Sequence, residues 1–208
     1  YYLHNFLKEQ PDLNYHCPEL QKQILSECEY WLERGVDGFR LDTVNFYVHD
    51  KELRDNPPRD PTSISTGLQL ETEVPYTMQA HIHDKSQPEN LEFLKKLRVL
   101  MDKYPDTMTI GEIGDDDPYK LAAIYTNGGD LLHTTYNTHF MAGTSSSELT
   151  CDKIIVPFKE FAKQAGDGWP SWALSNHDVV RSATRWGKGI QDKEAFAKLL
   201  MKLLLSLR

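Results

Sequence analysis

The stretch "GVDGFRLDTVNF", residues 35–46, places an arginine and an aspartate two positions apart at the end of a short apolar run. The run predicts a β-strand at about residues 36–42. Alternate side chains of a strand lie on the same face, so we expect Arg40 and Asp42 to lie side by side. A buried carboxylate is costly unless it is paired, and the arginine supplies that partner. The pair is therefore either a structural ion bridge or the centre of a site.

Helices and further strands alternate along the rest of the chain. A helix is predicted from Pro18, with one apolar face and Gly35 in the place of a C-terminal cap. A polar segment at about residues 49–89 is too long for an ordinary connection, and such loops are usually functional. The other predicted elements are a helix at about 90–103, a strand in "TMTIGEI" (107–113), a short helix near Pro118, a strand in "LLHTTYNT" (131–138), a helix at about 152–165, a strand in "WALSN" (172–176) and a final helix in "QDKEAFAKLLMKLLLSLR" (191–208). Strands alternating with helices indicate parallel βα units and an α/β fold.

Three carboxylates fall at the C-terminal ends of three predicted strands: Asp42, Glu112 in "TIGEIGDD" and Asp178 in "LSNHD". Active sites of parallel barrels are built at that end of the strands, so we expect the three side chains to converge. Such a group suits glycoside hydrolysis, in which one carboxylate attacks the anomeric carbon and a second shuttles the proton. The two lie about 5–5.5 Å apart in retaining enzymes.

The motifs "GFRLD", "GEIG" and "SNHD", in this order, resemble three signature regions of glycoside hydrolase family 13, the α-amylase family. The segments "PDLNY", "HDKSQPEN" and "NHDVVR" resemble its exo-acting α-glucosidase and oligo-1,6-glucosidase branch. The resemblance covers essentially the whole chain and implies an α/β chain that is part of a (β/α)8 TIM barrel, from about the fourth strand to the seventh helix. On this interpretation residues 1–208 are a partial catalytic barrel domain, incomplete at both ends. The long βα loop at about 49–89 is included, whereas the family's inserted domain and C-terminal β-domain are not.

The resemblance also implies a role for each matching residue. Asp42 resembles the nucleophile, and Glu112 resembles the general acid and base. Asp178 resembles the carboxylate that holds sugar hydroxyls and favours the transition state, and His177 resembles a hydroxyl donor beside it. Arg40 is expected to pair with Asp42 and keep it ionised, because a nearby cation favours the charged form of a carboxylate.

Two further residues are candidates for substrate binding. Thr43 is expected to border the space of the leaving sugar. In the α-glucosidase branch, alanine or threonine at this place accompanies α-1,4 cleavage and valine accompanies α-1,6 cleavage, so the resemblance implies a preference for α-1,4 bonds. Arg181 either lines the pocket or only bridges Asp178.

The implied function is a retaining, exo-acting α-glucosidase that hydrolyses terminal bonds of short oligosaccharides through a covalent glucosyl-enzyme intermediate and uses no cofactor. The stretch "DTVNFY" stands where α-amylases carry a Lys-His pair, which disfavours an endo-acting amylase. A transglucosylase or sucrose-cleaving enzyme shares every residue named above and stays open. A non-catalytic, transporter-associated relative would have lost the three carboxylates. We expect this chain alone to be inactive, because the sugar pocket would lack groups from the missing strands.

Two acidic or histidine-rich segments invite a metal hypothesis. His81 and His83 in "HIHD" alternate like strand ligands, but no third ligand is evident, so no metal is expected and a loop or subsite role is favoured. The run 115–117, "DDD", precedes Pro118 and is explained more simply by capping of a helix N-terminus. Four aromatic side chains beside strands either stack on sugars or belong to the core: Phe46, Tyr47, Trp169 and Trp172.

Composition narrows the classes of partner. The formal net charge of −8 and a pI of about 5.5 argue against nucleic-acid binding, which rests on clustered Lys and Arg. The apolar stretch "LLMKLLLSL" is shorter than the roughly 20 residues that a membrane span needs, and three cysteines form neither a disulfide framework nor a zinc pattern. A small oligosaccharide is the expected partner, and the oligomeric state is not indicated. The first residue is not methionine and no secretion signal is visible, so we expect a fragment of a cytoplasmic protein.

Overall fold

A computed structural model describes residues 1–60, 75–115, 117–141, 149–164 and 166–207 of the chain. These residues divide into two compact units, each of which is described by itself. The first unit holds residues 1–60, 75–112 and 129–133, and the second holds the other described residues. In neither unit do the described residues include a helix of the length and apolarity needed to cross a membrane.

The first unit contains two helices and two strands in alternation: α1 (Pro18–Leu32), β1 (Gly38–Leu41), α2 (Pro88–Met101) and β2 (Met108–Glu112). Both helices begin with proline in the first turn, where the missing N–H is not needed. Helix α2 begins at Pro88, two residues before the predicted start at about residue 90. Five side chains on one face of α2 are almost fully buried and form much of this unit's core: Phe93, Leu94, Leu97, Leu100 and Met101.

The strands β1 and β2 pair in parallel, from Gly38 opposite Met108 to Leu41 opposite Gly111. Gly38 has a φ of 149°, and a Cβ at this position would lie 1.9 Å from the carbonyl oxygen of Met108. Only glycine therefore allows the two strands to approach at their first pair. The strand β1 is shorter than the predicted strand at about 36–42 and ends at Leu41. Asp42 therefore lies in the turn that follows.

The second unit repeats the alternation with α3 (Pro118–Thr126), β3 (Thr134–Asn137), α4 (Cys151–Gln164), β4 (Trp169–Trp172), α5 (Ser182–Arg185) and α6 (Lys193–Ser206). β3 and β4 are parallel. Its core is one cluster of buried side chains from helices, strands and turns: Ala122, Phe140, Phe161, Trp172, Leu174, Trp186 and Leu200. The predicted parallel α/β architecture is thus confirmed within each unit.

The last strand differs from the prediction, because β4 occupies residues 169–172 rather than 172–176. Pro170 lies inside β4, opposite Thr135. Because proline cannot donate a backbone hydrogen bond to a neighbouring strand, its presence in the sequence disfavours predicting a strand there. Pairing with β3 overrides this signal, and the Thr134 hydroxyl adds a hydrogen bond of 2.7 Å to the carbonyl oxygen of Trp169. As a consequence Asp178 follows the end of its strand by six residues and lies in a loop. The four-residue helix α5 was not predicted at all.

The long loop at about 49–89 is described on both sides of residues 61–74, which lie outside the described residues. An isolated antiparallel bridge joins Pro58 and Gln79. The Asn56 side chain accepts hydrogen bonds from the backbone N–H groups of Ile82 and His83 at 3.1 and 2.9 Å. The two described ends of the loop are therefore tied to each other.

Candidate active site

Arg40 on β1 bridges two of the predicted carboxylates. Its Nη1 donates to Oδ1 of Asp42, and its Nη2 donates to Oε2 of Glu112 at 2.6 Å. The parallel pairing explains the arrangement, because Glu112 ends β2 and Asp42 directly follows β1. The predicted ion pair between Arg40 and Asp42 is present, and Glu112 is a second partner that the sequence did not reveal.

The two carboxylates differ in their access to solvent. The Asp42 side chain is 71% exposed, whereas that of Glu112 is 11% exposed. A ligand can therefore reach Asp42 directly, while Glu112 is largely enclosed and relies on the guanidinium for its charge partner. Charge-assisted hydrogen bonds of this kind are about twice as strong as neutral ones.

Thr43 adopts a left-handed backbone conformation, with φ 38° and ψ 49°. This conformation costs roughly 1–2 kcal/mol for a residue with a Cβ. It directs the Thr43 N–H toward Oε2 of Glu112, at a long N–O distance of 3.5 Å, and its carbonyl oxygen accepts from the N–H of Phe46 at 2.8 Å. The chain thus turns sharply after Asp42 and starts a short 3-10 turn at residues 44–46.

A pocket of about 280 Å³ opens beside this turn within the first unit. One wall consists of the turn itself, with Asp42, Thr43, Phe46 and Tyr47. The other wall comes from the N-terminal segment: Phe6, Gln10, Pro11, Asp12, Leu13 and Tyr15. The motif "PDLNY" supplies four of these six residues, and only its likeness to the family drew attention to it in the sequence.

Aromatic rings join the two walls. Tyr15 stacks on Tyr47 with ring centroids 5.1 Å apart, and Phe6 contacts Phe46 at 5.3 Å. Burial raises the pKa of Tyr15 to about 12. Burial also raises the pKa of Tyr47, and the nearby negative charge of Asp42 raises it further. Both phenols therefore remain neutral hydroxyls at physiological pH.

Asp12 fastens the N-terminal wall. Its Oδ2 accepts hydrogen bonds from both the backbone N–H and the side-chain amide of Asn5, each at 2.8 Å. Burial raises the pKa of this carboxyl above its ordinary value, and the two Asn5 hydrogen bonds oppose that shift. The clamp fixes the segment that carries Phe6 against the pocket.

The remaining predicted site residues lie in the second unit, in the loop after β4. His177 and Asp178 are adjacent, with Nε2 3.4 Å from Oδ2, and both side chains are exposed. Asp178 is also held by Asn176, whose Oδ1 accepts from the Asp178 N–H at 2.9 Å. Between Arg181 and Asp178, both described residues, no ion pair forms; Arg181 donates to the carbonyl oxygen of Asn176 at 3.2 Å. Of the two roles open for Arg181, the direct bridge is therefore not made.

The two segments considered for metal binding are occupied by local contacts. The ring nitrogens of His81 lie 2.6 Å from Oδ2 of Asp84 and 2.8 Å from the carbonyl oxygen of Tyr76, and the ring stacks on Tyr76. Asp117 caps α3 by accepting from the Lys120 N–H at 3.0 Å, whereas Asp116 lies outside the described residues. Across the described ranges, no group of three or more His, Cys, Asp or Glu side chains is placed to hold a metal.

The four aromatic candidates divide between pocket and core. Phe46 and Tyr47 line the pocket. Trp172 belongs to the core of the second unit and is 6% exposed, while Trp169 is 57% exposed.

Comparison with known proteins connects this geometry to a family. All 208 residues match the family described as alpha-amylase, catalytic domain. A Rhizobium meliloti protein named "Probable alpha-glucosidase" is 50% identical over 211 residues, which is 100% of this chain and 37% of that protein. An oligo-1,6-glucosidase of Parageobacillus thermoglucosidasius is 29% identical, over 98% of this chain and 35% of its own length.

A solved structure gives the same result. The crystal structure of an alpha-glucosyl transfer enzyme, XgtA, matches 100% of this chain and 38% of its own, with a TM-score of 0.89 and 44% identity. The chain thus spans little more than a third of the length of the relatives that it matches. It belongs to the α-amylase family, glycoside hydrolase family 13, and forms part of that family's catalytic TIM-barrel domain.

Proposed function

We propose that the full-length protein carrying this chain is a retaining, exo-acting α-glucosidase that releases glucose from the ends of short oligosaccharides. The observation that carries the proposal is the Arg40 guanidinium between Asp42 and Glu112, beside a pocket that Asp42 lines. Two carboxylates held by one guanidinium, one of them lining a pocket of about 280 Å³, suit the double displacement of retaining glycosidases. The names of the relatives at 50% and 29% identity support the same reaction.

In the proposed mechanism Asp42 attacks the anomeric carbon of the terminal glucose while the glycosidic bond breaks. Glu112 gives its proton to the departing oxygen. Glu112 then takes a proton from water, whose oxygen attacks the same carbon and releases Asp42. Arg40 keeps Asp42 charged before attack and stabilises Glu112 once its proton has gone, because it donates to both carboxylates.

The loop of the second unit supplies the proposed sugar-binding groups. Asp178 would accept hydrogen bonds from glucose hydroxyls and stabilise the positive charge that develops at the anomeric carbon. His177, which lies 3.4 Å from the Asp178 carboxylate, would donate to a neighbouring hydroxyl. Arg181, tied to the Asn176 carbonyl, would contact the sugar rather than neutralise Asp178. A small oligosaccharide is the proposed substrate. A preference for α-1,4 bonds is proposed from the threonine at position 43, where the resemblance associates valine with α-1,6 bonds, and Thr43 borders the pocket.

The test is covalent trapping in the full-length protein. A fluorinated glucosyl inhibitor should label the peptide that contains Asp42, and Asp42→Asn should abolish both labelling and turnover. Glu112→Gln should retain most activity on substrates whose leaving group needs no protonation. Near-native rates in Asp42→Asn would contradict the assignment of Asp42 as the nucleophile. If the unmodified protein turned over no α-glucoside, the proposed function would be wrong.

Transfer to an acceptor other than water is the second candidate. It is favoured by the 44% identity and TM-score of 0.89 to a structure named for alpha-glucosyl transfer. The two reactions share the glucosyl intermediate and differ in what attacks it. Incubation with maltose and increasing concentrations of a simple alcohol distinguishes them. A hydrolase should give two molecules of glucose for each maltose cleaved and little alkyl glucoside, whereas a transferase should give one glucose and one alkyl glucoside for each maltose cleaved, already at low alcohol concentration.

A further inference from the structure

The loop at residues 174–180 carries His177 and Asp178 but has few anchors of its own. Both side chains are exposed, at 72% and 57%. Within the loop, Asn176 contacts Asp178 and Arg181. Exposed loops with few packing contacts fluctuate more than the elements beside them, so the orientation of Asp178 needs support from outside the loop.

Arg185, the last residue of α5, reaches the two ends of this loop. The residue is 7% exposed. Its Nη2 donates to the carbonyl oxygen of Leu174 at 2.6 Å, and its Nε donates to the carbonyl oxygen of Val180 at 3.3 Å. One planar group therefore binds the first and the last residue of the loop.

A third hydrogen bond ties the guanidinium to the 3-10 turn at His139–Met141 in the same unit. Nη2 of Arg185 also donates to the carbonyl oxygen of Phe140, in the 3-10 turn after β3, at 3.0 Å. The guanidinium carbon lies 4.3 Å from the ring centroid of Trp186, which is fully buried. A lysine cannot reproduce this arrangement, because its ammonium is a single point of charge without the fixed fork of donors.

We propose that Arg185 is a positioning residue for the reaction: it holds both ends of the 174–180 loop and thereby sets the direction in which Asp178 and His177 point. It contacts neither of these side chains and acts through the backbone that carries them. The expected effect of Arg185 on catalysis rests on the proposed α-glucosidase function. Its anchoring of the loop can be measured without any substrate.

The first experiment is amide hydrogen exchange in the full-length protein, read by mass spectrometry. In Arg185→Lys, peptides covering residues 174–180 should exchange at least about tenfold faster than in the unmodified protein, since carbonyls at both ends of the loop lose a donor. The matched control is Arg98→Lys in the first unit, where Arg98 donates to the Leu131 carbonyl at 3.2 Å. This control should leave exchange at 174–180 unchanged, and an unchanged loop in folded Arg185→Lys would overturn the proposal.

The second experiment is a double-mutant cycle with Asp178→Asn on an aryl α-glucoside. If Arg185 acts by placing Asp178, Arg185→Lys should lower kcat/KM about 30-fold alone but less than about threefold in the Asp178→Asn background. A purely structural role would give the same loss in both backgrounds and would overturn the proposal. The Arg98→Lys control should change kcat/KM less than about threefold in either background.

The two experiments separate this inference from the function on which it rests. If the unmodified protein cleaves no α-glucoside, the proposed function fails, and hydrogen exchange alone decides the role of Arg185. If Arg185→Lys does not fold, Arg185→Gln takes its place, because an amide keeps a donor and leaves no unpaired charge in the buried site. The same increase in exchange at 174–180 is expected for that variant.

Discussion

Arg40 presents a planar fork, and each of its terminal nitrogens donates to a different carboxylate. A lysine at the same place would carry the same charge but could not hold Asp42 and Glu112 together with the same geometry. The guanidinium remains charged throughout the proposed reaction. It therefore provides a constant positive field while Glu112 gives and takes a proton and Asp42 forms and breaks its covalent bond to the sugar.

Replacing Arg40 with lysine tests this role in the full-length protein. We expect Arg40→Lys to lower kcat/KM for an aryl α-glucoside by about 100-fold, since charge-assisted hydrogen bonds contribute about 1.5–3 kcal/mol each. The control is Arg34→Lys, because Arg34 is exposed and its guanidinium donates to the Tyr30 carbonyl oxygen, away from the pocket. Arg34→Lys should stay within about twofold of the unmodified protein. Retention of more than a third of the activity in Arg40→Lys would contradict the bridging role.

Thr43 allows a test of linkage preference. Thr43→Val keeps the branched side chain at the same strained backbone position and removes only the hydroxyl, which could bind a hydroxyl of the leaving sugar. We expect the ratio of kcat/KM for isomaltose to that for maltose to rise about tenfold, or roughly 1.4 kcal/mol. Thr43→Ser, which keeps the hydroxyl, should leave the ratio near its original value. An unchanged ratio in Thr43→Val would place linkage choice elsewhere, most plainly in the 49–89 loop.

His139 should make stability depend on pH. Burial, together with the charge of Lys153, lowers the pKa of this imidazole to about 4, against an ordinary value of 6.5. The folded state therefore prefers neutral His139, so its contribution to stability is complete above pH 6.5 and is lost as the pH falls toward about 4.

The measurement is chemical denaturation of the unmodified protein and of His139→Gln between pH 4 and pH 7.5. The unmodified protein should lose more stability over this interval than the variant does. Burial also lowers the pKa values of His133 and His49, but these groups are present in both proteins, so the difference isolates His139. Equal losses in the two proteins would show that His139 does not govern the pH dependence.

At the scale of elements, the turn after β1 depends on α2. The side-chain amide of Asn90, in the first turn of α2, donates to the carbonyl oxygen of Val44 at 2.7 Å, and both residues are fully buried. The backbone of Ser86 donates to the carbonyl oxygen of Asn45 at 2.6 Å. The segment before α2 therefore holds the turn that directs Asp42 and Thr43 toward the pocket.

Asn90→Leu tests the support of this turn. Leucine has nearly the same shape but no donor, so the buried carbonyl of Val44 loses a partner. We expect the free energy of unfolding to fall by about 1–3 kcal/mol. The control is Gln23→Leu on the exposed face of α1, where Gln23 contacts only Glu27 among the described hydrogen-bond partners and the change should stay within about 0.5 kcal/mol. Equal stability of Asn90→Leu and the unmodified chain would refute this account.

At the scale of the whole molecule, the proposed activity needs more of the barrel than residues 1–208 provide. The chain covers 37% of the Rhizobium meliloti relative, and the sugar pocket of a TIM barrel is built from loops contributed by all parts of the barrel. We expect the purified 208-residue chain not to cleave an aryl α-glucoside under conditions in which the full-length protein does. Turnover by the isolated chain, at any rate above that of Asp42→Asn, would show that this part is sufficient.

The family and the parallel α/β architecture could be predicted from the sequence, because both depend on short motifs and on periodicity within single segments. "GFRLD", "GEIG" and "SNHD" each combine a strand end with a charged residue, and their order is visible without a structure. The strand at 169–172 could not be predicted, because Pro170 disfavours it locally and pairing with β3 compensates. The position of Asp178 in a loop followed from that difference.

What the sequence by itself determined is the identity of the charged groups and the closeness of Arg40 to Asp42, because two residues this near in the chain remain neighbours although β1 ends one residue before Asp42. Only the tertiary structure decided that Arg40 also binds Glu112, 72 residues away, and that the segment around Phe6 forms the opposite wall of the pocket. The left-handed turn at Thr43 and the hydrogen bond from Arg185 to the Phe140 carbonyl oxygen, 45 residues away, are likewise visible only in the structure. The contacts of Arg40 with Glu112 and of Phe6 with Phe46 join segments far apart in sequence, and no local preference of the chain records such a meeting.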